Sequence, residues 1–376
     1  MKILMTGGGS GGHFYPLIAV AEAIRETARE EKILEPKLYF MSNNPYNEKE
    51  LFDLDIQYEK VSAGKKRLYK SALNFLDYFK MGWGCVTALL KMFIIFPDVV
   101  FGKGAFASFP AYVAARILRI PIVIHDSDSV PGRVNAWAGK FAYKVAVSFK
   151  EAAEFFPKDK VAYTGQPVRK EIREVLTTGA LEYLNLEPNI PVILILGGST
   201  GAQIINDAIL NALPGLLNKY QVIHQVGRAN IQSVKGIADV ALEGHPHKDR
   251  YRPFDYLSTI ALRMSAGCAS VVISRGGGTI FEIACWGLPS IIVPITNSNG
   301  DHQRKNAYNY AREGAAVVIE ESNLSPQIIA NEIDRIILNE NVSARMRTAT
   351  EKIAKKDAAH IIAKELLKIG LSHENE

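Results

Sequence analysis

Three times in this chain a short apolar run ends in clustered glycines and passes into a segment of helical period. The first is Ile3-Leu4-Met5-Thr6, followed by Gly7 to Gly12 and then LIAVAEAIRE. The second is VILIL, followed by Gly197, Gly198, Ser199 and Gly201. The third runs from residues 270–274 into Arg275-Gly276-Gly277-Gly278-Thr279-Ile280. A strand that leaves through glycines into a helix points several backbone N–H groups, and the positive end of the helix dipole, into one crevice. Glycine also lets a phosphate come close to the main chain. Repeated strand–glycine–helix units demand an α/β fold with parallel strands and helices on both faces.

The first run, Gly7-x-Gly9-x-x-Gly12, matches the dinucleotide fingerprint, a weak signal alone. That fingerprint wants an acid at the end of the second strand to hold a ribose. Here residues 37–41 end in Ser42-Asn43-Asn44, which disfavours a nicotinamide cofactor. His13 stands at the mouth of the first helix. It reads either as a capping or packing residue or, where a ligand would lie, as a general base.

A chain of 376 residues exceeds one ordinary core, so two domains are expected. The pattern restarts after Gly165-Gln166-Pro167-Val168-Arg169. The expected domains are 1–166 and 167–344, with helices over 345–371 packing back on the first. Two Rossmann-like sheets facing across a cleft make a natural nucleotide-sugar site. The net charge of +5 permits anionic substrates or lipid surfaces and does not require nucleic acid. Cys85, Cys268 and Cys285 form neither a disulfide framework nor a zinc motif. The chain opens on a strand with no signal-peptide pattern ahead of it, so a reduced, cytoplasmic setting is expected.

Residues 83–101 are strongly apolar but broken by Lys91, Pro97 and Asp98, too short to span a bilayer. Just before them, Lys65-Lys66-Arg67-Leu68-Tyr69-Lys70 alternates basic and aromatic residues, continuing to Phe75, Tyr78, Phe79 and Trp83. This reads as a core helix with a solvated basic end, or as a patch that rests on an anionic membrane. A strand at 98–101 meets a further, shorter glycine loop, Gly102-Lys103-Gly104, before a helix at 111–119. A strand at 121–125 delivers His125 and Asp126 to the same carboxyl edge, where open α/β sheets bind ligands. Asp126-x-Asp128 and Asp53-x-Asp55 have the spacing of paired metal ligands, which is common by chance. In the last third, Glu282 sits one turn inside a helix, as a dipole partner or a ribose acceptor. Asp301 reads as an N-cap, with Gln303 two residues into the helix that follows.

The loops GGGSGGHFYP, GKGAFASFP, IHDSDSVPGRVNAWAGKFA, GQPVR, ILGGSTGAQIIN, IHQVG, ISRGGGTIFEIACWGLP and DHQRKNA occur in the order seen in the MurG family. This is the family of bacterial transferases that add N-acetylglucosamine to lipid I, and the chain resembles it over almost its whole length. The resemblance implies the glycosyltransferase B fold and inverting transfer from UDP-N-acetylglucosamine, without metal or other cofactor. It also implies peripheral attachment to the cytoplasmic face of the plasma membrane. Carried over by motif, Ser10, Gly11, Gly12, Gly104, His125, Asp128 and Arg169 belong to the binding residues of the first half. Gly198, Ser199, Thr259 near the uracil, Gly278, Thr279, Ile280, Glu282 and Gln303 belong to the donor side. His13 is the first candidate base and Asp126 the second, as base or as orienter of a histidine. Two places depart from the family pattern: H-E-Q-N reads His125-Asp126-Ser127-Asp128, and one residue is missing between Arg275 and Glu282. A related transferase with another lipid or small-molecule acceptor, a non-catalytic UDP-sugar-binding protein and a dehydrogenase are the rival readings.

Overall fold

The computed structural model describes residues 1–64, 73–198, 201–296 and 299–374. The chain begins with β1 (Lys2–Thr6), α1 (Gly11–Glu30), β2 (Lys37–Ser42), α2 (Glu48–Asp53), β3 (Ile56–Lys60) and α3 (Leu73–Ile95). It continues through β4 (Val99–Gly102), α4 (Ala105–Ile117), β5 (Ile122–Asp126), α5 (Arg133–Ala138), β6 (Lys144–Val147) and β7 (Val161–Tyr163). Next come α6 (Lys170–Arg173), α7 (Ala180–Tyr183), β8 (Val192–Leu196), α8 (Gln203–Leu216), β9 (Gln221–Gln225), α9 (Ile231–Ala241) and β10 (Tyr251–Phe254). Then α10 (Thr259–Cys268), β11 (Ala269–Ser274), α11 (Thr279–Trp286), β12 (Ser290–Ile292), α12 (His302–Arg312) and β13 (Ala316–Val318) follow. Three helices close the chain: α13 (Pro326–Ile337), α14 (Glu340–Ile353) and α15 (Ala358–Glu374).

Two compact units result. Met1–Arg169 with Lys355–Glu376 make the first, and Lys170–Ala354 the second. The second boundary falls ten residues later than the sequence reading put it, after 354 rather than after 344. The reason is α14, whose Met346 is buried in the core of the second unit. Only α15 returns to the first unit. Its Ile362, Ala363, Leu366 and Leu367 lie in one apolar cluster with Ile3 of β1 and Leu17 and Ile18 of α1. Leu366 is fully buried. We expect Leu366→Ala to lower stability by about 2–5 kcal/mol, the usual cost of emptying such a site. Urea denaturation measures it, and a loss below about 0.5 kcal/mol would remove α15 from the core.

Both sheets are wholly parallel among the described residues. The first has the order β3-β2-β1-β4-β5-β6-β7, and the second β10-β9-β8-β11-β12-β13. Strands buried on both faces must be apolar throughout, as β8 (VILIL) is. The strand order reverses between β1 and β4 and between β8 and β11, and ligands of such sheets bind beyond the carboxyl ends at that point.

The helices that face these points start earlier than their apolar periodicity suggests. α1 begins at Gly11, not Leu17, because Ser10 is extended and its carbonyl accepts from both His13 N and Phe14 N at 3.1 Å. Gly8 and Gly9 turn the chain with φ of +148° and +87°, so the helix begins inside the glycine run. His13 therefore lies in the first helical turn. α4 likewise begins at Ala105 rather than 111, after Gly104 at φ +76°.

Candidate active site

In the first unit, Lys103 N donates to Thr6 O at 3.0 Å and draws the ends of β1 and β4 together. Gly7 is hemmed in there. A Cβ on it would lie 2.8 Å from Leu17 Cδ1, and 3.4 Å from both His13 O and Lys103 Cβ. Gly104 combines its positive φ with an approach that a Cβ would bring to 2.7 Å from Asn135 Oδ1. The glycine loop, the start of α1 and Lys103 thus meet at the β1–β4 switch point.

Ser10 and Gly12 are exposed at the helix mouth, and Gly11 and His13 are half-buried. His13 Nδ1 lies 2.9 Å from Ser10 Oγ. If Nδ1 carries the proton and donates to Ser10, Nε2 keeps its lone pair and is free to act as a base. The imidazole is pushed down to about 4, chiefly by burial and then by the Lys103 cation, against the opposing pull of Asp128. At neutral pH it is uncharged, the state a general base requires.

His125 and Asp126 lie beneath this surface. His125 is fully buried and titrates well below its usual range through burial and the nearby Lys103. Its Nε2 meets Gly165 O at 3.0 Å and its Nδ1 meets Lys103 Nζ at 2.5 Å. Asp126 accepts from Asp128 N (3.0 Å), Gly132 N (3.3 Å) and Asn135 Nδ2 (2.9 Å). Burial pushes its carboxyl up, with Asp128 adding to the effect. Its oxygens shape the β5–α5 loop, whereas the orienting neighbour of His13 is Ser10. Asp128 is half-buried. Arg169 Nη1 pairs with Glu50 Oε1 at 2.9 Å, and its guanidinium lies 4.1 Å over the Tyr15 ring. It is thus anchored on α1 and α2. Lys103, Asn135, Ser148 and Gln166 were not singled out from sequence. For Lys103 a signal existed: a lysine between two glycines at the end of an apolar strand.

In the second unit, Gly197 N donates to Gln225 O at 3.2 Å. Gly198, at φ +81°, has its carbonyl 3.4 Å from Gln225 Nε2. Ser199 lies outside the described residues. Gly276 allows the closest approach here, since a Cβ on it would stand 2.2 Å from Gln303 O. Asn306 Nδ2 donates to Gly276 O at 3.2 Å, so α12 starts directly against the third glycine turn. Gln303 Oε1 accepts from Ile295 N at 3.4 Å. Gly278 caps α11, Thr279 opens it, and Glu282 stands half-buried in its first turn. Ile280 is fully buried with its N–H turned to Gly277 O at 3.3 Å, so it supports the turn from below. Thr259 opens α10 after the cap Ser258. Arg275 is taken up by Glu321 (2.6 Å) and Val293 O (3.0 Å). Asp301 holds the N-cap position in left-handed conformation, φ 57°, and its side chain makes no cap bond, contrary to expectation. Among the described residues, no three His, Cys, Asp or Glu side chains gather as a metal site.

Known proteins match this chain in sequence and fold. Residues 3–147 match the glycosyltransferase family 28 N-terminal domain, and residues 192–362 the glycosyltransferase family 28 C-terminal domain. The UDP-N-acetylglucosamine--N-acetylmuramyl-(pentapeptide) pyrophosphoryl-undecaprenol N-acetylglucosamine transferase 2 of Bacillus cereus is 33% identical over 364 residues, 96% of this chain and 97% of that one. The transferase of the same name, without the numeral, from Treponema denticola is 31% identical and covers 100% of this chain and 99% of its own. The crystal structure of Acinetobacter baumannii MurG shares the fold with a TM-score of 0.74 at 23% identity, over 98% of this chain and 100% of that one. The UDP-GlcNAc 2-epimerase from Neisseria meningitidis bound to UDP-GlcNAc shares it with a TM-score of 0.68 at 17% identity, over 98% and 100%. With two Rossmann-like units that both match its models, the chain belongs to glycosyltransferase family 28 and is a hexosyltransferase.

Proposed function

We infer that this chain transfers N-acetylglucosamine from UDP-N-acetylglucosamine to lipid I, undecaprenyl-pyrophosphoryl-N-acetylmuramyl-pentapeptide, giving lipid II for peptidoglycan. The observation that carries the reading is the nearly full-length likeness to relatives named for that reaction. The acceptor's sugar hydroxyl attacks the anomeric carbon from the face opposite UDP. A carbon–oxygen bond forms, the bond to UDP breaks with inversion, and the proton passes to His13 Nε2.

The first unit takes the acceptor. Ser10, Gly11, Gly12 and Gly104 bound it, with His125, Asp126 and Arg169 holding the frame, while Asp128 stands where the family's amide contacts the donor. The second unit takes the donor. Glu282 accepts from the ribose, the Thr259 backbone meets the uracil, and Gln303 meets the sugar. The glycines Gly198 and Gly278, ahead of α8 and α11, bring N–H groups and helix dipoles to the pyrophosphate as its charge grows, with Ile280 beneath the second of them and Ser199 assigned to the same anion by its motif alone. UDP is a good leaving group, so these dipoles can stand in place of an acid.

The undecaprenyl chain of the acceptor requires a membrane. No described helix is long and apolar enough to cross one. α3 offers a face instead. Phe79, Trp83, Val86, Leu90, Phe93 and Ile94 recur every three or four residues along it and are all exposed, while Ala88 and Met92 are fully buried on the inner side. Lys80 is exposed beside them, and Lys65–Lys70 lie outside the described residues. An apolar stripe of this extent, left in water with a cation beside it, supports seating on the anionic cytoplasmic face of the plasma membrane.

The test is labelled UDP-N-acetylglucosamine offered with a lipid I analogue in vesicles. Lipid II and UDP are the expected products. Turnover only with another nucleotide sugar or acceptor would replace this reading with a related transferase. UDP-sugar binding without product across an acceptor panel would leave a binding protein.

A further inference from the structure

Gln225 is the last residue of β9, and the sheet registers it against Leu196 at the end of β8 on one side and Phe254 at the end of β10 on the other. It is therefore flanked by the glycine turn that follows β8 and by the segment that leads from β10 into α10. Its side chain is 7% exposed and bonds to both. Oε1 accepts from Leu257 N at 3.0 Å, and Nε2 donates to Gly198 O at 3.4 Å. A backbone N–H can only donate and a carbonyl can only accept, so these two partners fix which end of the amide is which. The main chain adds a third link, since Gln225 O accepts from Gly197 N at 3.2 Å. Gly197 is closely fitted here: a Cβ on it would stand 3.1 Å from Gln225 O and 3.1 Å from Ala202 N.

We propose that Gln225 is a positioning residue of the donor site, whose amide holds the phosphate turn and the uracil segment at one spacing before a nucleoside diphosphate binds. The proposal rests on the reading that the second unit takes UDP-N-acetylglucosamine, with Gly198 at the pyrophosphate and Thr259 at the uracil. Leu257 stands two residues ahead of Thr259 and directly before Ser258, whose Oγ accepts from Ala261 N at 3.3 Å and caps α10. Pinning Leu257 N thus sets where α10 starts. At the other end, the Gly198 carbonyl carries the negative end of a peptide dipole, which a pyrophosphate would repel, and Nε2–H takes it up. A segment ordered before binding spares the ligand the cost of ordering it, and a ligand that spans two such segments gains most. Uridine lacks the pyrophosphate and UDP needs both segments, so the bridge favours UDP. Gln225 acts only through the segments it joins.

The test is calorimetric binding of UDP and of uridine to the full chain, with no acceptor present. In Gln225→Met, close in size but without the amide, the Kd for UDP is expected to rise about tenfold or more, in keeping with the loss of two hydrogen bonds, and that for uridine by distinctly less. Gln225→Asn keeps the amide but is one methylene too short to span Leu257 N and Gly198 O, so it should lose UDP affinity as well. It also carries the test should methionine prevent folding. The KM for UDP-N-acetylglucosamine should rise with the Kd for UDP, and the KM for a lipid I analogue should not. A folded variant that binds UDP as tightly as the parent overturns the proposal. Equal losses for uridine and UDP overturn it too, since they would mark a general loosening of the unit. Failure of the donor reading is separate: it shows as a parent chain that does not bind UDP.

Discussion

His13→Ala is expected to lower kcat with UDP-N-acetylglucosamine and a lipid I analogue by about 10²–10⁴-fold, the usual worth of a positioned base. UDP affinity should hardly change, because His13 belongs to the first unit and the UDP-binding turns proposed above to the second. The pH profile adds a second signature. The imidazole titrates at about 4, so kcat/KM of the parent should rise through about pH 4 and stay level toward neutrality. The variant should lack that limb. Stability moves in the same region and must be separated from it. His13 titrates at about 4 in the folded chain against 6.5 ordinarily, so between those values the unfolded chain binds more protons. Its contribution to stability is then complete above pH 6.5 and declines as pH falls toward 4. Activities must accordingly be referred to folded protein. Undiminished turnover in His13→Ala would place the base elsewhere.

Changing Trp83, Leu90 and Phe93 together to serine is expected to weaken binding to vesicles containing anionic lipid by about two orders of magnitude. The three side chains are 65%, 61% and 66% exposed, so removing them costs the folded chain little. Inserted partway into lipid, each contributes about 1 kcal/mol, or about 3 kcal/mol together. Flotation measures the loss, and an unchanged melting temperature verifies the fold. Added salt should weaken the contribution of the basic residues and leave that of the stripe in place. Vesicle binding unaltered by the triple change would take the membrane role away from α3.

The parts of this molecule legible in its sequence are those where one local rule decides the outcome. VILIL before glycines can only be a doubly buried parallel strand. Where two rules compete, the reading slips. Gly11 and Gly12 look like loop, yet the extended Ser10 ahead of them starts the helix, and tertiary position overrides glycine's poor propensity. β10 was not foreseen because Tyr251-Arg252-Pro253-Phe254 carries an arginine and a proline, acceptable only at the sheet edge it occupies. β13 is short and half-exposed at the other edge and gave as little signal. Lys103 was visible as a residue but not as the meeting point of His125, Ser127 and Gln166. Its acceptors come from 22, 24 and 63 positions further along, and only the completed sheet brings them to one nitrogen.

The return of α15 has a consequence for how the chain is made. The ribosome releases β1 to β7 long before α15 exists, and at about 5–20 residues per second the roughly 200 residues that follow take about 10–40 s. Throughout that interval the groove for Leu366 and Leu367, lined by Leu17 and Ile18, has nothing to fill it. The second unit is unbroken from Lys170 to Ala354 and needs no later segment. Maturation therefore runs against the order of synthesis: the half made first is the half finished last, and its apolar groove stays open until the chain ends.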